Sequence, residues 1–479
     1  MSASKHNNLG TFFKGEKIMS TKSAVKGGWL DKTFRLTERN TSVKQELLGG
    51  ATTFLTMVYI AAVNPSILAA SGMPVEPQFY ATVISSAIAC FMIAFYGNFP
   101  FALAPSMGLN AYFAYTVCLT MGLTWQQALA CVFMSGMTFI ILGFFGVQQR
   151  ICDDLPDVIK HSVGAGVGFF ISLIGMKNCG LIIADPSTAV ALGDLGNPGV
   201  LLSLLGLLII VVLTLKKVTG SILIGIVVIT LLGFVVKDPL SETGATYTVW
   251  NGIVSVPNIG CMKEIVCKMD FVGLFAGKNP TELVSIIFVI ISFFFVDLFG
   301  SVGVLLGLAD AAHLSDEEGN LPGAGKALTV SAVGAAIGAI LGTSTVTIYG
   351  AESSTGINAG ARTGLSTLFI GIGFILVLFF SPFFLMIPTC ATAPALMIVG
   401  TFMIEPLMHM DLGDLTVSVP AFMAVAMQPY TYNIAYGVLF GVLWYAVVTI
   451  AAGKAKEIKL TTWVLIVLFA VYFVLDVFI

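Results

Sequence analysis

Charge is scarce in this chain. Asp, Glu, Lys and Arg make up 10% of its 479 residues, where soluble domains carry about 25%, so a soluble protein is excluded. Histidine is scarcer still, four in all, with none near the centre of an apolar run. The eight cysteines are scattered, mostly inside apolar stretches, and no pair has metal-ligand spacing. Cys261 and Cys267 stand apart in a polar stretch where a disulfide could form. There is no HExxH, no GxSxG, no phosphate loop of P-loop form and no intramembrane Asp pair of protease type. These absences argue against an embedded enzyme and offer no site for a metal or cofactor.

What is abundant is apolar length. The chain is 57% hydrophobic with a mean hydropathy of +0.95. Runs such as PGVLLSLLGLLIIVVLTL (198–215) and WVLIVLFAVYFVL (463–475) approach the ~20 residues that cross ~30 Å of hydrocarbon. Such runs recur from about residue 47 to the end, which predicts an all-α polytopic membrane protein. Spans are expected at 47–70, 79–97, 106–122, 124–146, 158–177, 198–216 and 220–237. After a polar connection they resume at 281–309, 324–342, 351–361, 363–381, 385–408, 415–428 and 432–452. A final apolar run at 460–478 is either a surplus span or a helix on the membrane face.

The few charges orient the chain. Nine of the 23 Lys and Arg fall in the first 46 residues, which places the N-terminus in the cytoplasm of a cell-membrane protein. This tail has no short apolar core with a small-residue cleavage site, so it does not read as a cleaved signal peptide. A solvated tail is the simpler reading, with contact to anionic lipid the alternative. Alternation of sides puts Arg150, Lys160, Lys216, Lys217, Lys454, Lys456 and Lys459 inside. The long 238–280 loop breaks the bias with Lys263, Lys268 and Lys278, but long loops follow the rule poorly.

Fourteen spans divided by one long loop suggest a repeat. Five regions are expected: a basic tail (1–46), a first repeat (47–237), an external loop (238–280), a second repeat (281–452) and a C-terminal tail with an extra apolar helix (453–479). Slid by 245 residues, GNFPFALAPSMGLNAY (97–112) falls on GTSTVTIYGAESSTGI (342–357). Slid by 232, Pro156 and Gly168 fall on Pro388 and Gly400. Seven is odd, so the halves would enter the membrane from opposite sides as an inverted repeat. Segments 3 and 10 each read as a short extended stretch, a polar turn and a short helix. Unpaired backbone cannot face lipid, so the two stretches are expected to pair as short antiparallel strands across a pseudo-twofold axis. Each following half-helix would aim its N-terminus at the centre, where free N–H groups suit polar ligand atoms.

Ionisable groups inside spans are expensive unless paired or functional. Asp297 lies mid-span in ISFFFVDLFGSVGVLLGL, and Glu352 opens the second half-helix. Arg362 and Glu405 lie nearer span ends and read as structural or interfacial. Two carboxylates at one cavity fit a proton relay and supply acceptors for ring N–H donors. Asn110, on the first half-helix, can both donate and accept at a heterocycle edge.

ERNTSVKQELLGGATTFLTMVYIAAVNPSIL (38–68), APSMGLNAYFAYTV (104–117), FFFVDLFGSVGVLLG (293–307) and GTSTVTIYGAESSTGINAGARTG (342–364) resemble the AzgA-like hypoxanthine/guanine/adenine permeases. These are a branch of the nucleobase–cation symporter and nucleobase–ascorbate transporter group, and the resemblance runs from about residue 38 to 452. It implies fourteen segments in two inverted repeats, a core moving against a gate, homodimers and proton-coupled purine uptake. No nucleic acid is implied as a partner. By the same resemblance Asn110, Asp297, Glu352 and Ser353 would serve substrate, Glu352 and Asp297 the proton, and Tyr349 would stack on the base. The chain departs from the family pattern in four places. Gly300 stands for a second acid, Val304 for a Thr, Ser106 for a Gly, and both Gly350 and Ala351 separate Tyr349 from Glu352, where one residue is usual. These departures leave the purine open. A xanthine or uracil carrier, a sulfate-type anion carrier of the same fold and, less favoured, a channel remain as alternatives.

Overall fold

The structure is a computed structural model and describes residues 28–145, 154, 156–239, 241, 244–314, 321–460, 462–467 and 470. Most of the basic tail, Arg150 and most of the 460–478 run therefore lie outside the described residues.

In chain order the elements are α1 (Trp29–Phe34), α2 (Val43–Met57), α3 (Ile60–Leu68), α4 (Val75–Met92), β1 (Leu103–Pro105) and α5 (Met107–Ala111), which continues as a π-helical stretch, Tyr112–Thr120. Next come α6 (Trp125–Phe144), α7 (Asp157–Asn178), β2 (Ile182–Asp185), β3 (Ala189–Leu192), α8 (Pro198–Leu215) and α9 (Ser221–Gly233). The second half has α10 (Phe271–Phe275), α11 (Pro280–Ala311), α12 (Ala324–Leu341), β4 (Val346–Ile348), α13 (Gly350–Asn358) and α14 (Gly364–Val377). It closes with α15 (Ser381–Leu385), α16 (Thr389–Phe402), α17 (Leu415–Thr431) and α18 (Ile434–Ala451).

Among the described residues, ten helices are long and apolar enough to cross a membrane. The other four expected segments are shorter. Two are the strand-and-half-helix breaks; α9 has 13 residues and α17 has 17, with Pro420 and Pro429 inside it. The link at 178–197 holds an unexpected β2–β3 hairpin. Its turn is tied by Asp185, whose carboxylate accepts the N–H groups of Ser187 and Thr188, which holds it below the usual range.

The disulfide does not form: Cys261 and Cys267 are both free. Cys267 is pinned in a left-handed conformation (φ 55°), its N–H donating to Ile340 O at 2.8 Å, while Cys261 sits in a tight turn, Ile259–Glu264. Burial pushes the Cys261 thiol up to about 11.

The helices pack in two groups. In one, α14 lies against α2 and α4, α12 against α6, and α13 against α2. In the other, α16 lies against α7 and α8, and α17 against α7 and α18. Small residues allow the closest approaches. A Cβ built on Gly168 of α7 would lie 2.7 Å from Gly400 O on α16, and one on Gly400 would strike Gly168 O and Ser172 Oγ. Pro156 and Pro388 cap these same two helices. Of the residues matched by the 232-residue slide, Gly168 and Gly400 thus face one another where α7 and α16 cross.

A polar knot fixes the start of α2 to the second half. Glu46 is fully buried and accepts the N–H groups of Arg362 at 2.9 Å and Thr363 at 3.2 Å and the Thr41 hydroxyl at 2.8 Å. The Arg362 guanidinium caps α13, donating to Ile357 O and Ala361 O, both at 2.6 Å. Glu405 lies exposed at the end of α16. Glu46→Ala would orphan two backbone donors, each costing about 1–3 kcal/mol. A clear drop in the melting temperature of purified protein is the expected outcome, read by thermal-shift fluorescence.

Candidate functional site

The two breaks meet at the centre of the first helix group. Strands β1 and β4 pair antiparallel, Leu103 against Ile348, Ala104 against Thr347 and Pro105 against Val346. The pairing is extended at both ends by equivalent bonds, Ser106 N–H to Thr345 O (2.8 Å) and Tyr349 N–H to Ala102 O (2.9 Å). The crossing therefore has local twofold symmetry. Val346 follows Leu103, and Gly350 follows Met107, by the same 243 residues. This corrects the expected slide of 245: the backbone hydrogen bonds set the register, and sequence identity across the breaks is too sparse to set it.

From this crossing the half-helices α5 and α13 diverge. Glu352 stands in the first turn of α13, with the positive end of the helix behind it. It is 8% exposed, and its Oε1 accepts the Tyr59 hydroxyl at 2.8 Å. Among the described residues the Tyr59 hydroxyl is the one side-chain donor to this carboxylate, beside its own backbone N–H. Among the described residues Asp297, 3% exposed on α11, accepts only the Ser301 hydroxyl at 3.2 Å, and Ser301 in turn meets Ser331 Oγ of α12. Helix α11 touches α5, β4 and α13. One turn before Asp297, Phe293 packs edge-on against Tyr112 beyond α5, with ring centroids 5.0 Å apart. Two turns after it, Val304 lies against Gly350, where a Cβ would come within 3.0 Å. Asp297 thus sits on the helix that bridges both half-helices. At Gly300 an added Cβ meets nothing within 4 Å, so the absent second acid leaves open space.

The other expected site residues have structural tasks. Tyr349 is buried, and its hydroxyl donates to Pro105 O at 2.6 Å, a strut across the strand crossing. Ser353 Oγ accepts the Ala102 N–H at 2.9 Å, fastening the second half-helix to the first strand. Asn110, fully buried, donates through Nδ2 to Asn64 Oδ1, while its own Oδ1 has no partner among the described residues. Asn64 donates in turn to Thr82 Oγ1 (2.7 Å) and Thr343 Oγ1 (3.0 Å).

Tyr59 and Asn64 are the residues that sequence reasoning missed. Each lies in an apolar run, TMVYIAAVNP, where only polarity beside Pro65 marks Asn64 and nothing marks Tyr59. A buried Asn has to find partners, so Asn64 was the findable one. Glu352, Asn110, Tyr349 and Ser353 gather at the crossing and its half-helices; Asp297 approaches along α11.

Residues 44–428 match Xan_ur_permease, described as a permease family. The chain belongs to this family. Its members are transporters, so the permease is not assigned to an enzyme class. The adenine permease AdeP of Escherichia coli (strain K12) is 38% identical over 432 residues, covering 90% of this chain and 93% of that protein. The guanine/hypoxanthine permease PbuG of Bacillus subtilis (strain 168) is 37% identical over 455 residues, covering 92% and 98%. Among solved structures, the transmembrane domain of a cyanobacterium bicarbonate transporter, BicA, aligns with a TM-score of 0.57 at 19% identity, covering 86% of this chain and 97% of that one. The murine anion transporter Slc26a9 in its inward-facing state aligns with a TM-score of 0.59 at 12% identity, covering 92% and 74%. At such identities these two share the fold of the permease.

Proposed function

We propose that the permease is a secondary active importer of purine nucleobases, hypoxanthine, guanine or adenine, driven by proton symport across the cell membrane. The observation that carries this reading is Glu352: a buried carboxylate at a half-helix start, held by the Tyr59 hydroxyl and its own backbone N–H, with no other side-chain donor among the described residues. Such a group can take a proton and can accept a hydrogen bond from a purine ring N–H or amino group. Curated relatives named as adenine and as guanine/hypoxanthine permeases support the substrate class.

In the proposed cycle a proton from outside neutralises Glu352 or Asp297, and a neutral purine enters between the half-helices. Asp297, the open Oδ1 of Asn110 and the Ser353 hydroxyl contribute hydrogen bonds, and Tyr349 covers a face of the base. The first helix group then moves as a core against the second as a gate and exposes the site inside. The reading includes fourteen segments in two inverted repeats (47–237 and 281–452), a cytoplasmic N-terminus and a homodimer. The glycine-lined crossing of Gly168 and Gly400 supports two-fold related helices in the gate.

The fold is also that of anion transporters. Two acids close to the half-helix starts oppose an anionic cargo, so the nucleobase reading is preferred. Uptake into proteoliposomes under an inward proton gradient, with a competing panel of purines and pyrimidines at two external pH values, tests it. At least one of hypoxanthine, guanine and adenine is expected to accumulate, faster at the lower pH. Exclusion of all three, or sulfate uptake in their place, refutes the proposal.

A further inference from the structure

A groove of about 540 Å³ runs along the outside of the first helix group, lined by Ile88, Phe91, Met92, Phe95, Thr329 and Val330 with Tyr96. It lies between the end of α4 and the start of α12, and its lining is almost wholly apolar. At its end is a second pocket of about 250 Å³ that shares Phe95 and Tyr96 with it. This one is polar and holds three cations, Arg35, Arg39 and Lys326, with no carboxylate in its lining among the described residues.

The cationic pocket is a built one. Arg39 Nη1 donates to Asn98 O (2.7 Å) and Arg362 O (2.8 Å), so the guanidinium is fixed in place. Asn98 is fixed in turn: its Nδ2 donates to Phe34 O at 3.0 Å, and its Oδ1 accepts the Gly364 N–H at 2.8 Å. Burial lowers the Arg39 pKa; that cost and the nearby Arg35 oppose the attraction of Glu38 and Glu46. Arg39 also lies 5.9 Å from the Phe99 ring centroid, and Lys326 lies 5.7 Å from that of Tyr96. Arg35 pairs only loosely with Glu38, at 3.8 Å on the exposed side. Phe34 of α1 packs on Phe95, with centroids 5.8 Å apart, and so supports a ring that lines both pocket and groove.

We infer that this is a binding site for one anionic glycerophospholipid, its phosphate among Arg35, Arg39 and Lys326 and an acyl chain in the apolar groove. An apolar groove continuous with a fixed cationic pocket matches the two ends of that molecule and of no water-soluble anion. The positions fit the expected sidedness, since Arg35, Arg39, Asn98 and Lys326 all fall at cytoplasmic span ends. Anionic headgroups favour basic pockets on that side. Tyr96, more than half exposed, has the half-wet setting that aromatic side chains take at headgroup level.

Native mass spectrometry of the full-length protein, delipidated in mild detergent and titrated with phosphatidylglycerol or phosphatidylcholine of matched chains, tests the inference. One phosphatidylglycerol per chain is expected to be retained, with about 100-fold preference over phosphatidylcholine from three cations. Arg39→Gln also loses two structural bonds, so the deciding variant is Arg35→Gln combined with Lys326→Gln. At roughly fivefold per cation, its affinity should fall about 30-fold with the lipid-free melting temperature unchanged. Thr329→Trp, which fills the groove and keeps the cations, should weaken retention as well. Unchanged retention in the double variant overturns the inference, and so does displacement by inorganic phosphate alone. Residues 315–320, SDEEGN, carry three acids just before this pocket in sequence and lie outside the described residues. Asp316→Asn/Glu317→Gln/Glu318→Gln should leave lipid retention as it is. Retention seen only in that variant would make the chain's own acidic segment the occupant and overturn the lipid assignment.

Discussion

Glu352→Gln is expected to lower concentrative purine uptake roughly 100-fold, the lower end of what removing a proton-transfer group costs. The substitution keeps volume and keeps an oxygen for the Tyr59 hydroxyl, now 2.8 Å from Oε1. Folding should therefore survive, and the loss should lie in transport. What disappears is the titratable group and the second acceptor oxygen. A neutral Gln cannot carry a proton across, so residual uptake should be equilibrative and nearly independent of external pH. Tyr59→Phe separates positioning from proton carriage. It leaves the carboxylate without its only side-chain donor among the described residues, a bond to a charged group worth roughly 1.5–3 kcal/mol. About tenfold slower uptake with pH dependence retained is expected. Asp297→Asn completes the set, because the proposed cycle gives Asp297 a share in substrate or proton, and among the described residues it accepts only the Ser301 hydroxyl. Radiolabelled uptake in permease-deficient cells at two pH values, normalised to surface protein, reads all three. Full pH-dependent uptake by both Glu352→Gln and Asp297→Asn would remove the carboxylates from the mechanism.

The second large effect is on folding. Gly400→Leu should yield little monodisperse protein. Its Cβ would strike Gly168 O and Ser172 Oγ, so α7 and α16 would have to part. Backbone cannot step aside as a flexible side chain does, and overpacking costs 1–3 kcal/mol or more even where side chains yield. These helices cannot regain that energy by burying apolar area, because lipid is as apolar as their own side chains. Gly164→Leu on the same α7 is the control, since its Cβ meets nothing within 4 Å. Fluorescence-detected size exclusion of detergent extracts should show a sharp peak for Gly164→Leu and loss of the peak for Gly400→Leu. Equal peaks would mean that the helices do not approach as closely as described.

Much of this was legible in the residues. The apolar runs revealed the spans, because hydrocarbon leaves a chain few ways to cross. The matched polar breaks revealed the strand crossing, because unpaired backbone in a membrane must find a partner. In the weak Pro156/Gly168 and Pro388/Gly400 match, read as a sign of a repeat, the two glycines prove to lie in contact where α7 and α16 cross. The register of the crossing was not legible, since a slide of 245 and one of 243 differ only in which backbone groups bond. The free thiols of Cys261 and Cys267 depend on a turn and a backbone bond to Ile340 that no spacing reveals. Likewise the β2–β3 hairpin carries no alternation distinct from an ordinary loop.

By itself, then, the sequence determined a polytopic helical membrane protein with two matched breaks, and the placing of Glu352 at the start of the second. These follow from local chemistry: hydropathy, glycine and a costly intramembrane charge. Only the tertiary structure decided what each polar group holds. Tyr59 finds Glu352 across 293 residues, Asn64 joins Asn110 to Thr343, and Tyr349 and Ser353 brace the crossing. In a low-dielectric interior most polar atoms pair with whatever the fold brings near, and that is a property of the packing of distant segments, which no local stretch of residues encodes.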